Sequence, residues 1–242
     1  MNEHSPSELS FAVSRTVLTG LDFFFSFFEA GFVERSKPEE FVNTSTHGIG
    51  ILLVLVGAVV LLCSLSDEAG IRIWLACIVY LLTLLSVYVC STLSHYYSSL
   101  ERKALFRQLD QACIYLLIVG SYTPFSVEYL HGLWWSSLLG LMWTIAIVGA
   151  ISKVFFAHRI QRVSIWLYLA LGWLPAMGGV MNTDSLTREC LLWIVGGGVT
   201  YSLGTIFLFN DRKARYLHAV WHLFVIAGSV IHFLGIMKCV VR

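Results

Sequence analysis

Charged residues are scarce in this sequence of 242 residues: they make up 13% of it, whereas hydrophobic residues make up 57%. Soluble domains carry about a quarter charged residues, so this scarcity argues against an ordinary soluble domain. The formal net charge is only +1, which excludes the strong positive charge typical of nucleic-acid-binding proteins. The apolar residues form long uninterrupted blocks. The sequence therefore predicts an integral membrane protein with membrane lipids, and no nucleic acid, among its partners.

Two further patterns are missing. The alternation of polar and apolar residues that marks membrane β-strands is absent, which favours helices. The cysteines form neither a CxxC pair nor a dense framework, so we interpret them as buried thiols and do not expect a structural disulfide. They are Cys63, Cys77, Cys90, Cys113, Cys190 and Cys239.

Long apolar segments dominate what is present. A helix that crosses a bilayer needs about 20 mostly apolar residues, and seven segments meet this requirement. Because their connections are short, we predict an all-α polytopic membrane protein, a single bundle of seven transmembrane helices. We expect Pro175 to kink the fifth helix. The predicted spans are residues 47–66, 72–94, 109–127, 132–151, 164–180, 189–209 and 217–237.

The N-terminal residues differ from the rest. We predict a tail over residues 1–38 and a membrane domain over residues 39–242. The tail is rich in Phe but is interrupted by Asp22, Ser26 and Glu29, and it lacks the basic stretch and cleavage site of a signal peptide. We expect an amphipathic helix that lies along the membrane interface; a disordered tail is the alternative.

The basic residues predict the orientation of the bundle. Three connections, 2–3, 4–5 and 6–7, each hold three basic residues, whereas the opposite side holds four in all. By the positive-inside rule the richer side is cytoplasmic, which with seven spans predicts a cytoplasmic N-terminus and an external C-terminus. The nine residues are Arg102, Lys103, Arg107, Lys153, Arg159, Arg162, Arg212, Lys213 and Arg215.

Ionisable residues at membrane depth are costly and are functional candidates by default. His218 and His222 begin the seventh span four residues apart, and the same spacing separates Ser91 from His95 at the end of the second. Residues four apart lie on one face of a helix. Asp110 begins the third span, and the predicted topology brings all five residues to the cytoplasmic side.

Three neutral imidazoles with water in the fourth position are typical of a tetrahedral zinc site. Asp110 would bind the ion directly or orient its water, and Ser91 would donate a hydrogen bond to that water. A His-x3-His pair alone is weak evidence, because such pairs often only form hydrogen bonds. The coincidence of three clusters at one depth favours the metal site. His47 either supports this site or anchors the first helix at the interface, and His232 lies about 15 Å deeper, too far to share it.

These motifs resemble the hemolysin III family, the bacterial branch of the progestin and adipoQ receptor superfamily, which is itself similar to alkaline ceramidases. EEFVNTSTHGIG matches the acidic-residue-then-Asn signature through Glu40 and Asn43, followed by His47. STLSH matches a Ser-x3-His motif, DQACIYLLIVGSYTPF the third helix, and HAVWH the closing His-x3-His motif. The resemblance covers about residues 39–237.

The resemblance implies a seven-helix fold with a cytoplasmic N-terminus in the bacterial inner membrane. It implies a Zn²⁺ site formed by His95, His218 and His222, with Asp110 and Ser91 near the bound water.

The motif EEFVNTSTHGIG contributes residues that support the predicted site without binding the metal. The resemblance implies that Glu40 and Asn43 are structural or support the metal ligands, and His47 belongs with them.

Two functions follow as hypotheses. The first is a zinc-dependent hydrolase of a lipid amide or ester, in which Asp110 acts as general base and then general acid and Ser91 steadies the oxyanion. The alternative is a non-enzymatic protein, receptor-like or membrane-perturbing and cytolytic, in which zinc only holds helices together. The spans carry no polar stripe along their length, which argues against a water-filled pore.

Overall fold

The computed structural model describes residues 35–129, 131–156, 163–180 and 186–241. These residues form seven α-helices and one short 3-10 helix, Asp67–Ala69, so the prediction of an all-α fold is confirmed. The predicted interfacial helix lies within residues 1–38. Residues 1–34 of this tail lie outside the described part of the chain. The helices are α1 Lys37–Ser64, α2 Gly70–Tyr96, α3 Leu100–Tyr129, α4 Leu133–Phe156, α5 Val163–Val180, α6 Arg188–Phe209 and α7 Leu217–Cys239.

Five of these helices, α1, α2, α4, α6 and α7, are long and apolar enough to cross a membrane. The other two differ for distinct reasons. The first turns of α3 are highly charged, with Glu101, Arg102 and Lys103 in sequence, and the apolar part of α5 is a short stretch, Ile165–Pro175.

Helix α1 begins well before the first predicted span. Ser36 precedes the helix, and both its backbone N–H and its hydroxyl donate to the Glu39 carboxylate, at 3.1 and 2.7 Å. This pairing of the residue before the helix with the third residue of the first turn stabilises a helix start. Glu40 and Asn43, which stand before the predicted span of residues 47–66, therefore lie on α1 itself.

Glycines allow the helices to approach closely. The most extensive interfaces are those of α2 with α3 and of α6 with α7. In the second, a Cβ atom on Gly204 would lie only 2.6 Å from Cβ of Phe224, and one on Gly197 would lie 2.1 Å from Cδ2 of His232. Side chains at these positions would force the helices apart, as expected for small residues at helix contacts in membranes.

A disulfide joins Cys190 to Cys239, with 5.9 Å between their Cα atoms. The interpretation of all six cysteines as thiols is therefore wrong for this pair. The first turn of α6 and the last turn of α7 are neighbours because these helices are antiparallel, and this adjacency is not visible in the sequence spacing of 49 residues. The disulfide closes the end of the bundle opposite to the histidine-rich end.

Candidate metal centre

Three histidines converge from two helices. His95 lies in the last turn of α2, and His218 and His222 lie in the first two turns of α7. Their ring centroids are 5.1 Å apart for His95 and His218, 5.2 Å for His95 and His222, and 4.6 Å for His218 and His222. One ligand nitrogen from each lies within 4.8 Å of the other two. This group has the composition and spacing to bind a metal ion.

Carboxylates orient two of these rings. Nδ1 of His95 donates to Oε2 of Glu40 at 2.6 Å, and Nδ1 of His218 donates to Oδ2 of Asp211 at 3.1 Å. A carboxylate accepts, so in each ring the proton lies on Nδ1 and the lone pair on Nε2. Carboxylate partners of this kind are the usual support of metal-binding histidines.

The third ring is oriented by a hydroxyl. Oγ1 of Thr46 lies 3.0 Å from Nδ1 of His222 and donates its single proton to the carbonyl oxygen of Asn43, at 2.9 Å. The hydroxyl therefore contacts Nδ1 of His222 and orients that ring. The hydrogen bonds thus occupy Nδ1 of all three rings, and the two carboxylates assign the proton of His95 and of His218 to that nitrogen.

Cations hold both carboxylates in place. Lys103 forms an ion pair with Glu40, and a nitrogen of the Arg35 side chain lies 2.5 Å from Oδ2 of Asp211. Burial alone would raise the pKa of Asp211, but the hydrogen bond from His218 and the charge of Arg35 outweigh it and lower that pKa below its ordinary value. Asp211 is therefore ionised at neutral pH and able to accept from the imidazole.

Asp110 lies on α3 and Ser91 lies one turn before His95 on α2, and neither belongs to the group of three histidines. The Ser91 hydroxyl faces the Asp110 carboxyl. Both residues, with His47, line the polar end of a cavity of about 120 Å³ between the helices. Phe125 and Val225 are among the apolar residues that line most of the remainder. The arrangement sets a carboxyl and a hydroxyl, together with His47 that is stacked on His222, in the lining of a mostly apolar cavity.

His47 and Asn43 fill the α1 side of the centre. The His47 ring is stacked on His222 with 3.7 Å between centroids and meets the edge of Tyr88 at 5.1 Å. Both residues are buried, and neither ring nitrogen of His47 nor either side-chain atom of the Asn43 amide has a hydrogen-bond partner among the described residues. His47 therefore touches the ligand group without belonging to it.

The other histidines lie elsewhere. Nε2 of His232 donates to the carbonyl oxygen of Ile194 at 3.2 Å, and this residue lines the same cavity as His47, away from the ligand group. His131 is exposed. His4 and His158 lie outside the described residues.

Sequence reasoning missed Asp211, Arg35 and Thr46. Asp211 precedes His218 by seven residues in a polar connection, where the sequence offers no helical periodicity to relate them. Thr46 stands one residue before His47 in a motif already singled out, so its proximity to a candidate residue was its only signal.

Comparison with known proteins places these residues in a family. The model of the family described as "Haemolysin-III related" matches residues 35–233. The chain belongs to the haemolysin III family. The predicted resemblance is thereby confirmed, and the matched region contains every residue of the metal centre described above.

Haemolysin III relatives match over most of their length. "Hemolysin-3" of Bacillus cereus is 37% identical over 199 residues, which are 82% of this chain and 90% of that protein. "Hemolysin-3 homolog" of Bacillus subtilis is 33% identical over 199 residues, 82% of this chain and 93% of that protein. Human "Monocyte to macrophage differentiation factor" is 30% identical over 220 residues, covering 86% and 88%. With its five apolar helices, this haemolysin III family member is a multi-pass integral membrane protein.

Proposed function

We propose that this haemolysin III family member is a zinc-dependent hydrolase that cleaves a long-chain lipid amide or ester at the cytoplasmic side of the bacterial inner membrane. The observation that carries the proposal is the convergence of one ring nitrogen from each of His95, His218 and His222, with Nδ1 of each ring held by a hydrogen-bond partner. Neutral imidazoles with oriented tautomers suit Zn²⁺, and a fourth position left to water is typical of catalytic zinc.

The apolar cavity supports a lipid substrate. It would hold part of an acyl chain among side chains such as Phe125 and Val225, and Ser91, Asp110 and His47 in its lining would face the scissile carbonyl. Apolar cavities with a few convergent polar groups are typical ligand sites.

The bound zinc ion would activate water and polarise the carbonyl of the substrate. Asp110 would take the proton of that water on a carboxylate oxygen and return it to the leaving amine or alcohol. The Ser91 hydroxyl would donate a hydrogen bond to the oxygen that gains negative charge. Glu40, Asp211 and Thr46 would hold the imidazoles in the tautomer that this chemistry requires.

The proposal includes seven spans with a cytoplasmic N-terminus. In this arrangement α3 and α5 also cross the bilayer, which their position between apolar helices supports. The histidine-rich end shares its side with the basic connections. The disulfide between Cys190 and Cys239 closes the other end, and disulfides form in the oxidising space outside the cytoplasm.

The rival function is a non-enzymatic protein in which zinc only joins α2 to α7. One observation favours it: the ligands come from these two helices alone, so the ion would join them directly. If zinc is structural, its removal should lower the stability of the protein. If zinc is catalytic, turnover should also depend on Asp110.

Asp110→Asn distinguishes the two functions. It should leave zinc content unchanged and lower the release of fatty acid from a long-chain N-acyl amide and its matched ester about 100-fold or more, because positioned acid–base groups contribute about 10²–10⁴. Glu128→Gln, near the far end of α3, serves as the control and should retain full turnover. Normal turnover by Asp110→Asn would refute the assigned role, and a zinc-loaded wild type that cleaves neither substrate would support the structural rival.

A further inference from the structure

Lys153 has an environment that its sequence position does not explain. The predicted spans place Lys153 in the connection between the fourth and fifth spans. In the structure it lies inside α4, and only 2% of it is exposed. Burying an ammonium group is costly unless it is paired. Among the described residues no carboxylate forms an ion pair with Lys153. Its Nζ donates to the neutral amide oxygen of Gln111 at 2.9 Å.

A groove that Lys153 lines at one end runs along the outside of the bundle. Its volume is about 290 Å³, and α3, α4 and α5 form its walls. Tyr115 and Gly149 lie at its base, where a Cβ atom on Gly149 would come within 2.8 Å of the Tyr115 ring. A glycine at this position lets α4 approach the Tyr115 ring on α3 closely. The rim is apolar and open, since Ile145, Val148 and Leu167 are 37%, 58% and 41% exposed.

The direction of the groove matches that of a lipid in one leaflet. Lys153 follows the predicted span and so lies at headgroup depth on the basic side of the bundle. Thr144 and Ile145, which also line the groove, lie about two turns deeper, roughly 12 Å along the helix. The groove thus has a cation at the interface and apolar walls that continue into the hydrocarbon.

We propose that this groove binds an anionic phospholipid, with the phosphate of its headgroup on Lys153 and one acyl chain along Val148, Ile145 and Leu167. Two observations identify the occupant. The buried cation lacks an anion in the described part of the chain, and the exposed apolar walls favour an acyl chain over a free anion. The site is separate from the histidine centre and does not depend on the proposed hydrolase activity.

Native mass spectrometry of the delipidated full-length chain tests the proposal. Phosphatidylglycerol and phosphatidylcholine with identical acyl chains are added separately. The wild type should bind the anionic lipid about tenfold more tightly, as a charge-assisted hydrogen bond allows. Lys153→Met should abolish this preference, and Lys153→Arg should retain it. Lys213→Met is the matched control, because Lys213 is an exposed lysine on the same side of the bundle, and it should behave as the wild type.

Two further arms identify the part of the lipid that is bound. Val148→Trp should fill the groove and weaken binding of the anionic lipid while Lys153 remains. Inorganic phosphate and glycerol 3-phosphate should fail to displace the lipid. Retained preference in Lys153→Met would overturn the proposal. Displacement by free phosphate together with full binding to Val148→Trp would overturn it too, since the site would then bind an anion only. If Lys153→Met fails to fold, the Arg and Trp variants and the competition still decide.

Discussion

Three acceptors, Glu40, Asp211 and Thr46, decide which nitrogen of each histidine faces the centre of the cluster. Each contacts a different Nδ1, and together they leave Nε2 of each ring as the candidate ligand atom. Outer partners of this kind fix both the tautomer and the ring orientation, so their loss weakens metal binding without removing a ligand.

Glu40→Gln tests this orienting role. An amide in place of the carboxylate is a weaker acceptor for His95 and loses the charge that pairs with Lys103. We expect the affinity for zinc to fall about 10–100-fold, measured by competition with a chelator of known affinity. The control is Glu101, an exposed carboxylate two residues before Lys103 at the start of α3. Glu101→Gln should bind zinc as the wild type does. Equal affinity of Glu40→Gln and wild type would show that the hydrogen bond does not support the ligand.

For individual residues, the sequence predicts the three histidines of the group better than the residues that hydrogen-bond to them. His218 and His222 are related by helical spacing, and positive-inside topology brings His95 to the same level. The hydrogen-bond partners of His218 and His222 depend on packing. Asp211 contacts His218 across the connection between α6 and α7, and Thr46 contacts His222 from a different helix. Neither relation follows from a periodicity.

At the scale of helices, the pair α6 and α7 depends on close approach. Gly204 lies against Cβ of Phe224 and the ring of Trp221, which precedes His222 in the sequence. Any displacement of α7 at this level would also move His222, the candidate ligand next to Trp221.

Gly204→Ala should therefore destabilise the protein. The added methyl group would lie 2.6 Å from Cβ of Phe224, a backbone-proximal atom that cannot move alone. Overpacking of this kind costs about 1–3 kcal/mol. Gly140→Ala is the control, because a Cβ there meets no atom within 4 Å and alanine is the better helix former. Thermal unfolding in detergent should show a lower midpoint for Gly204→Ala alone; equal midpoints would contradict the packing argument.

Helix ends and helix neighbours depend on effects that hydropathy does not report. Apolar runs predict where the helices lie in the chain, but they do not report polar extensions beyond the membrane. Helix α1 starts at Lys37 and α3 at Leu100 because capping and charged turns continue them past the hydrocarbon. The disulfide of Cys190 and Cys239 depends on which helices are neighbours, and hydropathy carries no such information.

At the scale of the whole molecule, the proposal separates two ends of the bundle. One end has the histidines and the basic connections, and the other has the disulfide. In the proposed topology the first end faces the cytoplasm, as the charge bias and the redox chemistry of disulfides favour.

Cysteine accessibility in intact cells tests this orientation. In a background with the exposed Cys63 replaced by Ser, Leu133→Cys at the start of α4 should react with a membrane-impermeant maleimide. Lys213→Cys, between α6 and α7, should react only after the membrane is opened. Leu133 is 85% exposed and Lys213 is exposed as well, so burial does not explain a difference. The reverse pattern, or equal labelling of both, would contradict the proposed topology.

The metal content of the purified protein shows whether the three histidines bind zinc. The intact chain should contain about one zinc ion by elemental mass spectrometry, as three oriented imidazoles and one open position require. His222→Ala should lose it, whereas His131→Ala, which removes an exposed histidine, should keep it. An intact protein that binds no zinc after zinc is added, or a His222→Ala variant that retains a full equivalent, would contradict the account.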